Sequence, residues 1–126
     1  MTSRKKPSPP LVSVVDDDES VREALPDLLR QLGFRARAFA SAEAFLSSSQ
    51  HDQTSCLVLD ISMPGMSGPD LKRELERRGY RIPVIFITAH AEAAAQSGVA
   101  DDAVACLTKP FGDTELHDAL KRALET

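Results

Sequence analysis

The sequence has only two cysteines, the residues that form disulfides and bind metals through sulfur, and no apolar run long enough to span a membrane. Its two cysteines, Cys56 and Cys106, lie within apolar runs and lack the spacing of a metal site, which predicts buried, reduced thiols. No apolar run approaches the roughly 20 residues that a membrane helix needs. The N-terminus also lacks the apolar core of a signal peptide. We therefore expect a cytoplasmic protein with no membrane partner.

Positive charge is not in excess either. The 126 residues include 15 basic and 19 acidic ones, a formal net charge of −4, which argues against direct nucleic-acid binding. The hydrophobic share of 42% is normal for a soluble globular domain, and the length suffices for one core. Residues 1–10 are polar, basic and rich in proline. We expect a disordered leader over residues 1–10 and one domain over residues 11–126.

Short apolar runs alternate with helical periodicity through the rest of the chain. The predicted strands cover residues 11–15, 34–39, 56–59, 83–87 and 104–107. The predicted helices cover residues 18–32, 42–48, 69–79, 91–98 and 113–124. This alternation predicts an α/β fold, in which a parallel sheet carries helices on both faces. Pro26 lies inside the first helical pattern and predicts a kink or a wide turn there.

The segment 56–68, CLVLDISMPGMSG, places one carboxylate at the end of a buried strand. Its first four residues are apolar on both faces, as a central strand of a parallel sheet requires, and Asp60 follows them. Pro64, Gly65 and Gly68 then force a loop. Open α/β sheets hold ligands at the carboxyl ends of their strands, so Asp60 is the candidate reactive group.

Three other predicted strands also end on polar residues, namely Asp16 and Asp17, Thr88, and Lys109. Parallel strands bring these groups to one edge of the sheet. Crowded carboxylates need a cation between them, and an all-oxygen donor set indicates Mg²⁺ or Mn²⁺ rather than zinc. Asp60 could then attack phosphorus to form an aspartyl phosphate. Lys109 would neutralise one phosphoryl oxygen, and the Thr88 hydroxyl would donate a hydrogen bond to another.

Each of these residues has an ordinary structural explanation when it is taken singly. An acidic run such as residues 16–18 commonly caps a helix and compensates its dipole. Thr88 alone would be a satisfied core hydroxyl, and Lys109 alone a solvated side chain. Their occurrence together at four strand ends is what favours a phosphoryl-transfer site.

Four motifs, in this order, resemble those of the receiver domain of two-component response regulators. They are VVDDDE at 14–19, LVLDISMPGMSG at 57–68, PVIFITAH at 83–90 and LTKPF at 107–111. The segment SAEAFL at 41–46 resembles FixJ-type receivers in particular. The resemblance implies a flavodoxin-like (CheY-like) doubly wound sheet of five parallel strands in order 2-1-3-4-5, with five helices. It also implies phosphotransfer from a bacterial histidine kinase.

The resemblance implies a role for each residue of the acidic site. Asp60 matches the phosphoacceptor, and both Asp17 and Asp60 match direct Mg²⁺ ligands. Asp16 matches an acid that acts largely through water, and Ser62 matches the residue whose backbone carbonyl binds the metal. Because Ser62 flanks the phosphoryl group, its side chain is also predicted to tune the lifetime of the phosphorylated form.

The remaining family positions lie after the fourth and fifth predicted strands. Thr88 matches the switch hydroxyl, and the Ala89 amide matches a donor to a phosphoryl oxygen. His90 is predicted to tune phosphoryl lifetime together with Ser62. Lys109 matches the conserved lysine of the family, which precedes a cis proline.

The sequence departs from the family pattern in two places. Cys106 stands where the family usually carries an aromatic or histidine ring that swings inward on activation. Residues 91–103, AEAAAQSGVADDA, replace the usual fourth helix and are about one residue short. We expect the phosphoryl chemistry to be retained without the aromatic relay, and the last helix, with His117, Lys121 and Arg122, to dominate the partner surface.

These observations favour a phosphoacceptor that promotes its own phosphotransfer and autodephosphorylation rather than an enzyme. Two alternatives stay open, a receiver-like interaction module that works without phosphorylation and a phosphohydrolase acting through an aspartyl phosphate. The second would need an acid two residues after Asp60, where Ser62 stands. The expected partner is a sensor histidine kinase. Two alternatives stay open for the output, a stand-alone receiver and the front part of a regulator with a C-terminal DNA-binding output domain, and a second copy could contact the last helix and its neighbouring strand.

Overall fold

A sheet of five parallel strands forms the centre of the structure, a computed structural model that describes residues 9–90 and 103–125. The strands lie in the order β2-β1-β3-β4-β5, as predicted. Their bounds are β1 Leu11–Val15, β2 Arg35–Phe39, β3 Thr54–Asp60, β4 Val84–Thr88 and β5 Ala105–Thr108. All four pairings are parallel, so the carboxyl ends of the strands meet at one edge.

The described residues contain four α-helices, α1 Glu19–Gln31, α2 Ala42–Ser47, α3 Gly68–Arg77 and α4 Asp113–Leu124, together with a 3₁₀ turn at Gln50–Asp52. Five helices were predicted, and the alanine-rich one at residues 91–98 lies outside the described residues. The first eight residues of the predicted leader lie outside them as well. Along the described parts of the chain, no helix is both long and apolar enough to cross a bilayer.

At Pro26, where a kink or a wide turn was predicted, α1 continues through the residue, which excludes a turn that interrupts the helix. A proline inside a helix costs about 3 kcal/mol. Leu25, Pro26 and Leu29 are all buried, and burying a large apolar side chain stabilises by about 1.5 to 3 kcal/mol. Packing against the sheet therefore outweighs the lost backbone hydrogen bond.

The residues of β3 are buried on both faces of the sheet, which explains their nearly continuous apolar character. Cys56 and Val58 pack in a layer with residues of α1 and α4. Leu57 and Leu59 pack on the opposite side with residues of α2 and α3. This arrangement holds the end of β3, and with it Asp60, firmly in the middle of the sheet.

The two cysteines differ in burial. Cys56 is fully buried and free, as predicted, and burial raises the pKa of its thiol to about 12. Cys106 is free but only half-buried, so the prediction of a buried thiol was wrong at this position. The reason is that β5 is an outer strand of the sheet, with a strand on one side only among the described residues.

Candidate functional site

Three carboxylates converge at the carboxyl edge of the sheet. Asp16 and Asp17 follow β1, and Asp60 ends the neighbouring strand β3. Carboxylate oxygens of the three residues lie within 4.8 Å of one another. Asp16 is fully buried and Asp60 is 6% exposed, whereas Asp17 is exposed. The tertiary structure thus brings together the acids that the sequence pattern singled out.

The turn that carries Asp16 and Asp17 is held by the first turns of α1. The Asp18 amide donates to Asp16 Oδ1 at 2.9 Å, and Asp18 in turn caps α1 by accepting from the Ser20 amide at 2.9 Å. Arg22 Nη1 donates to the backbone oxygen of Asp16 at 3.1 Å. The sequence pattern did not predict this contact of Arg22, because a side chain that bonds a backbone atom leaves no pairing signal in the sequence.

Lys109 brings a positive charge into the acidic site. Its Nζ lies 2.8 Å from Asp16 Oδ2 and 3.8 Å from Asp60 Oδ2. The Lys109 amide donates to the backbone oxygen of Thr88 at 2.8 Å. The Lys109–Pro110 peptide is cis, as the family resemblance implied. Burial disfavours the ammonium, but contact with Asp16 and the charge of Asp60 outweigh it and raise the pKa of Lys109.

The geometry around Asp16 fits a hard cation. Although Lys109 Nζ is close to Asp16 Oδ2, this buried oxygen accepts no hydrogen bond of acceptable angles from the described residues. When all three carboxylates are ionised, they and the Lys109 ammonium leave a net charge of −2 at the site. Three carboxylates this close together form the all-oxygen donor set that Mg²⁺ or Mn²⁺ prefers.

The ionisation of Asp60 is strongly influenced by its surroundings. Burial, followed by the negative charge of Asp16, raises the pKa of Asp60 to about 7, while Lys109 and a hydrogen bond from the Ser62 amide act in the opposite direction. The Ser62 amide donates to Asp60 Oδ1 at 3.3 Å. A divalent cation at the acidic site would favour the ionised carboxylate, which is the nucleophilic form.

Thr88 ends β4, the strand next to β3. Asp60 pairs with Ile87, so Thr88 lies one position further along the sheet edge. Its side chain is buried, and its Oγ1 accepts a hydrogen bond from the His90 amide at 2.9 Å. The hydroxyl proton of Thr88 therefore remains able to donate to a group at the acidic site.

The other predicted site residues are more exposed. Ala89 is exposed and lines a cavity together with Asp18 and Lys109, beside the acidic site. The side chains of Ser62 and His90 are exposed, and each backbone amide donates to a residue of the site. Both side chains are thus accessible to solvent, while their backbone amides contact Asp60 and Thr88 respectively.

Gly68 allows α3 to begin directly against Asp60. A Cβ atom at this position would lie 2.3 Å from the Asp60 backbone oxygen, which is closer than a carbon and an oxygen that are not bonded can approach. The Gly68 amide donates to the Ile61 oxygen at 3.1 Å and closes the loop between β3 and α3. The sequence identified Gly68 only as a loop residue, because close approach of two backbones depends on the tertiary fold.

The chain is similar to known proteins in both sequence and structure. The profile of the family described as response regulator receiver domain matches residues 12–121. Nodulation protein W of Bradyrhizobium diazoefficiens is 46% identical over 116 residues, which cover 91% of this chain and 51% of that protein. The transcriptional regulatory protein FixJ of Rhizobium meliloti is 40% identical over 115 residues, which cover 90% and 56% respectively. The chain spans about half the length of the curated relatives that it matches.

Solved structures give the same grouping. The crystal structure of FixJ-N has a TM-score of 0.79 and 38% identity, covering 92% of this chain and 94% of that one. The structure of the response regulator StyR has a TM-score of 0.79 and 43% identity, covering 93% of this chain and 60% of that one.

Proposed function

Because the chain belongs to the response regulator receiver domain family, we propose that Asp60 is the residue that accepts the phosphoryl group. The observation that carries the proposal is the convergence of Asp16 and Asp17 on Asp60, with carboxylate oxygens within 4.8 Å and the Lys109 ammonium beside them. We further propose that residues 11–126 form the functional receiver domain and that residues 1–10 act as a leader.

The acidic site supports a role for Mg²⁺ or Mn²⁺. Asp17, Asp60 and the Ser62 carbonyl would hold the ion directly, with Asp16 acting through water. When bound, the ion supplies positive charge that allows a phosphoryl dianion to approach the carboxylates. The three carboxylates support this assignment, because their oxygens lie within 4.8 Å of one another and one ammonium does not offset their combined negative charge.

The phosphoryl transfer itself requires few groups of the protein. A carboxylate oxygen of Asp60 attacks phosphorus, a P–O bond forms, and the bond from phosphorus to the donor nitrogen breaks. Lys109 then pairs with one phosphoryl oxygen, while the Thr88 hydroxyl and the Ala89 amide donate to others. The movement of Thr88 and Lys109 toward the phosphoryl group would shift the outer surface between two states. Hydrolysis of the aspartyl phosphate at the same site would reset the domain.

A cavity beside Lys109 supports the approach of a phosphodonor protein. It has a volume of about 540 Å³ and a mainly apolar wall, formed by α1 and by the segment after β5. Val21, Leu25, Leu28 and Phe111 lie on this wall. We assign the phosphodonor as a sensor histidine kinase acting in the bacterial cytoplasm. Its phosphohistidine would have to reach the rim where Asp60 lies, and this cavity borders that rim.

The length of the relatives supports a separate output. Nodulation protein W and FixJ extend well beyond the matched region. We propose that this receiver controls a DNA-binding output domain of the same regulator, and that α4 and β5 form the surface that a second copy or the output domain contacts. His117, Lys121 and Arg122 are exposed on α4 and would contribute polar and basic groups to this surface.

Incubation with Mg²⁺ and acetyl phosphate, followed by intact mass measurement, tests the assignment of Asp60. We expect the wild type to gain one phosphoryl group, and both Asp60→Asn and removal of the ion with EDTA to abolish the gain.

A wild type that gains no mass but still binds its partner would instead support the phosphorylation-independent module. The half-buried Cys106, at the family's relay position, favours retaining that alternative. Turnover of unrelated phosphate esters would support a phosphohydrolase.

A further inference from the structure

The first turn of α2 contacts the loop that follows Asp60. Glu43 Oε2 accepts a hydrogen bond from the Met66 amide at 3.3 Å, across 23 residues of sequence. The same oxygen lies 3.1 Å from the position of a Cβ on Gly65. We propose that Glu43 is a positioning residue that holds loop 61–67 in the conformation required for phosphoryl transfer. This inference rests on the proposed function of Asp60.

The start of α2 is built so that Glu43 faces this loop. Ser41 caps the helix by accepting from the Ala44 amide at 3.0 Å. Ala42 and Phe45 are fully buried and anchor the helix in the core. Glu43 lies between these anchors but is exposed, so its side chain extends outward to the loop. The segment SAEAFL thus combines one cap, two anchors and one carboxylate that contacts the loop.

The loop is also attached at its two ends. The Ser62 amide bonds Asp60 Oδ1 at its start, and the Gly68 amide bonds the Ile61 oxygen at its close. Between these attachments the backbone turns at Gly65, which has a φ of +75°. Glu43 contacts the loop at this turn, because Gly65 presents no side chain and leaves room for the carboxylate.

The position of Ser62 explains how Glu43 influences the chemistry. The amide of Ser62 orients the Asp60 carboxylate, and its carbonyl would contact the bound ion under the proposed function. A loop that loses its hydrogen bond at Met66 places Ser62 correctly for a smaller fraction of the time. The rate of transfer to Asp60 then falls, while the stability of the domain changes little because Glu43 is exposed.

The test compares Glu43→Ala, Glu43→Gln and, as a matched control, Glu23→Ala at an exposed position of α1. Phosphorylation by acetyl phosphate should be about three- to tenfold slower in Glu43→Ala, the fold-change expected when one hydrogen bond is lost. Glu43→Gln should retain most of the rate, because its amide oxygen can accept the same bond. Without Mg²⁺, hydrogen exchange at Met66 should be faster in Glu43→Ala than in the wild type or the control.

Two results of the exchange measurement would overturn the role of Glu43. One is unchanged exchange at Met66 in Glu43→Ala, and the other is faster exchange with an unchanged rate of phosphorylation. A rate that Glu43→Gln does not restore would likewise contradict a role through the hydrogen bond. A wild type that gains no phosphoryl group overturns the proposed function, whereas a wild type and a Glu43→Ala variant that react equally fast overturn this inference alone.

Discussion

The ammonium of Lys109 lies 2.8 Å from Asp16 Oδ2 but 3.8 Å from Asp60 Oδ2. The lysine is therefore paired more closely with Asp16 than with Asp60, the proposed phosphoacceptor. Phosphorylation of Asp60 would add stronger acceptors near the ammonium, so Lys109 has a short distance to move when the proposed switch occurs.

Replacing Lys109 by alanine should destabilise the domain when no divalent ion is present. The substitution leaves buried carboxylates without their cation, and we expect a loss of about 1 to 3 kcal/mol in the free energy of unfolding. Urea denaturation in EDTA measures the change. Arg73→Ala, which breaks an exposed ion pair on α3, should cost less than about 1 kcal/mol. Equal losses in the two variants would contradict the proposed importance of Lys109.

The stability of the domain should depend on pH through Asp60. Its pKa is about 7 in the folded state against an ordinary 3.8, so the folded protein binds this proton more tightly than the unfolded chain does. The resulting stability is fully present below the unfolded pKa and is lost as the pH rises through about 7.

Asp60→Asn should remove this dependence. Without Mg²⁺ at about pH 8, we expect the variant to be more stable than the wild type by about 2 to 4 kcal/mol, and the difference to shrink toward about pH 4. Urea denaturation at both pH values measures the difference. Added Mg²⁺ should stabilise the wild type more than the variant. A difference that stays the same at both pH values would count against a buried, perturbed carboxylate.

Gly68→Ala should both destabilise the domain and slow phosphorylation. Its Cβ would lie 2.3 Å from the Asp60 backbone oxygen, so either α3 or the end of β3 must shift. We expect a loss of about 2 to 4 kcal/mol by urea denaturation, a typical cost of strain at a tightly packed position. Gly112→Ala serves as the control, since the nearest atom to its Cβ outside its neighbours in the chain would be a side-chain oxygen of Glu115 at 3.6 Å, an ordinary van der Waals distance. A midpoint for Gly68→Ala no lower than that of the control would contradict the clash.

Ser62 and His90 should influence the lifetime of the phosphorylated form more than the stability of the fold. Both side chains are exposed, and both amides bond the oxygens of site residues. Substitution of either side chain by alanine should change the free energy of unfolding by less than about 0.5 kcal/mol. The decay of the phosphoprotein, followed by intact mass after removal of acetyl phosphate, should nevertheless differ from that of the wild type. Identical decay in both variants would show that these side chains do not reach the phosphoryl group.

The strands and the acidic rim were predictable because they leave local patterns. From Cys56 to Leu59, β3 is apolar and buried on both faces, so the change at Asp60 is visible in the sequence. The outer strand β2 was predictable only in part, since Arg35 and Arg37 are exposed and Ala36 is buried, as their alternation indicates, but Ala38 is exposed as well. In each case the signal lies within a few neighbouring residues.

The contacts that hold the site in place were not predictable in this way. Arg22 bonds the backbone of Asp16, Glu43 bonds the backbone of the loop after β3, and Gly68 contacts the backbone at Asp60. Every residue type has the same backbone oxygen, and every type except proline has the same backbone amide. A contact with the backbone therefore leaves no characteristic pair of residue types in the sequence. The half-burial of Cys106 depends equally on which strand lies at the outside of the sheet.

The sequence by itself determined which groups can do chemistry and at which strand ends they stand, because burial and periodicity are properties of short segments. The tertiary structure alone decided that Lys109 lies closer to Asp16 than to Asp60, and that Glu43 contacts the loop beside them. The physical reason is that distances between segments far apart in the chain follow from how the sheet and helices pack, which no single segment encodes.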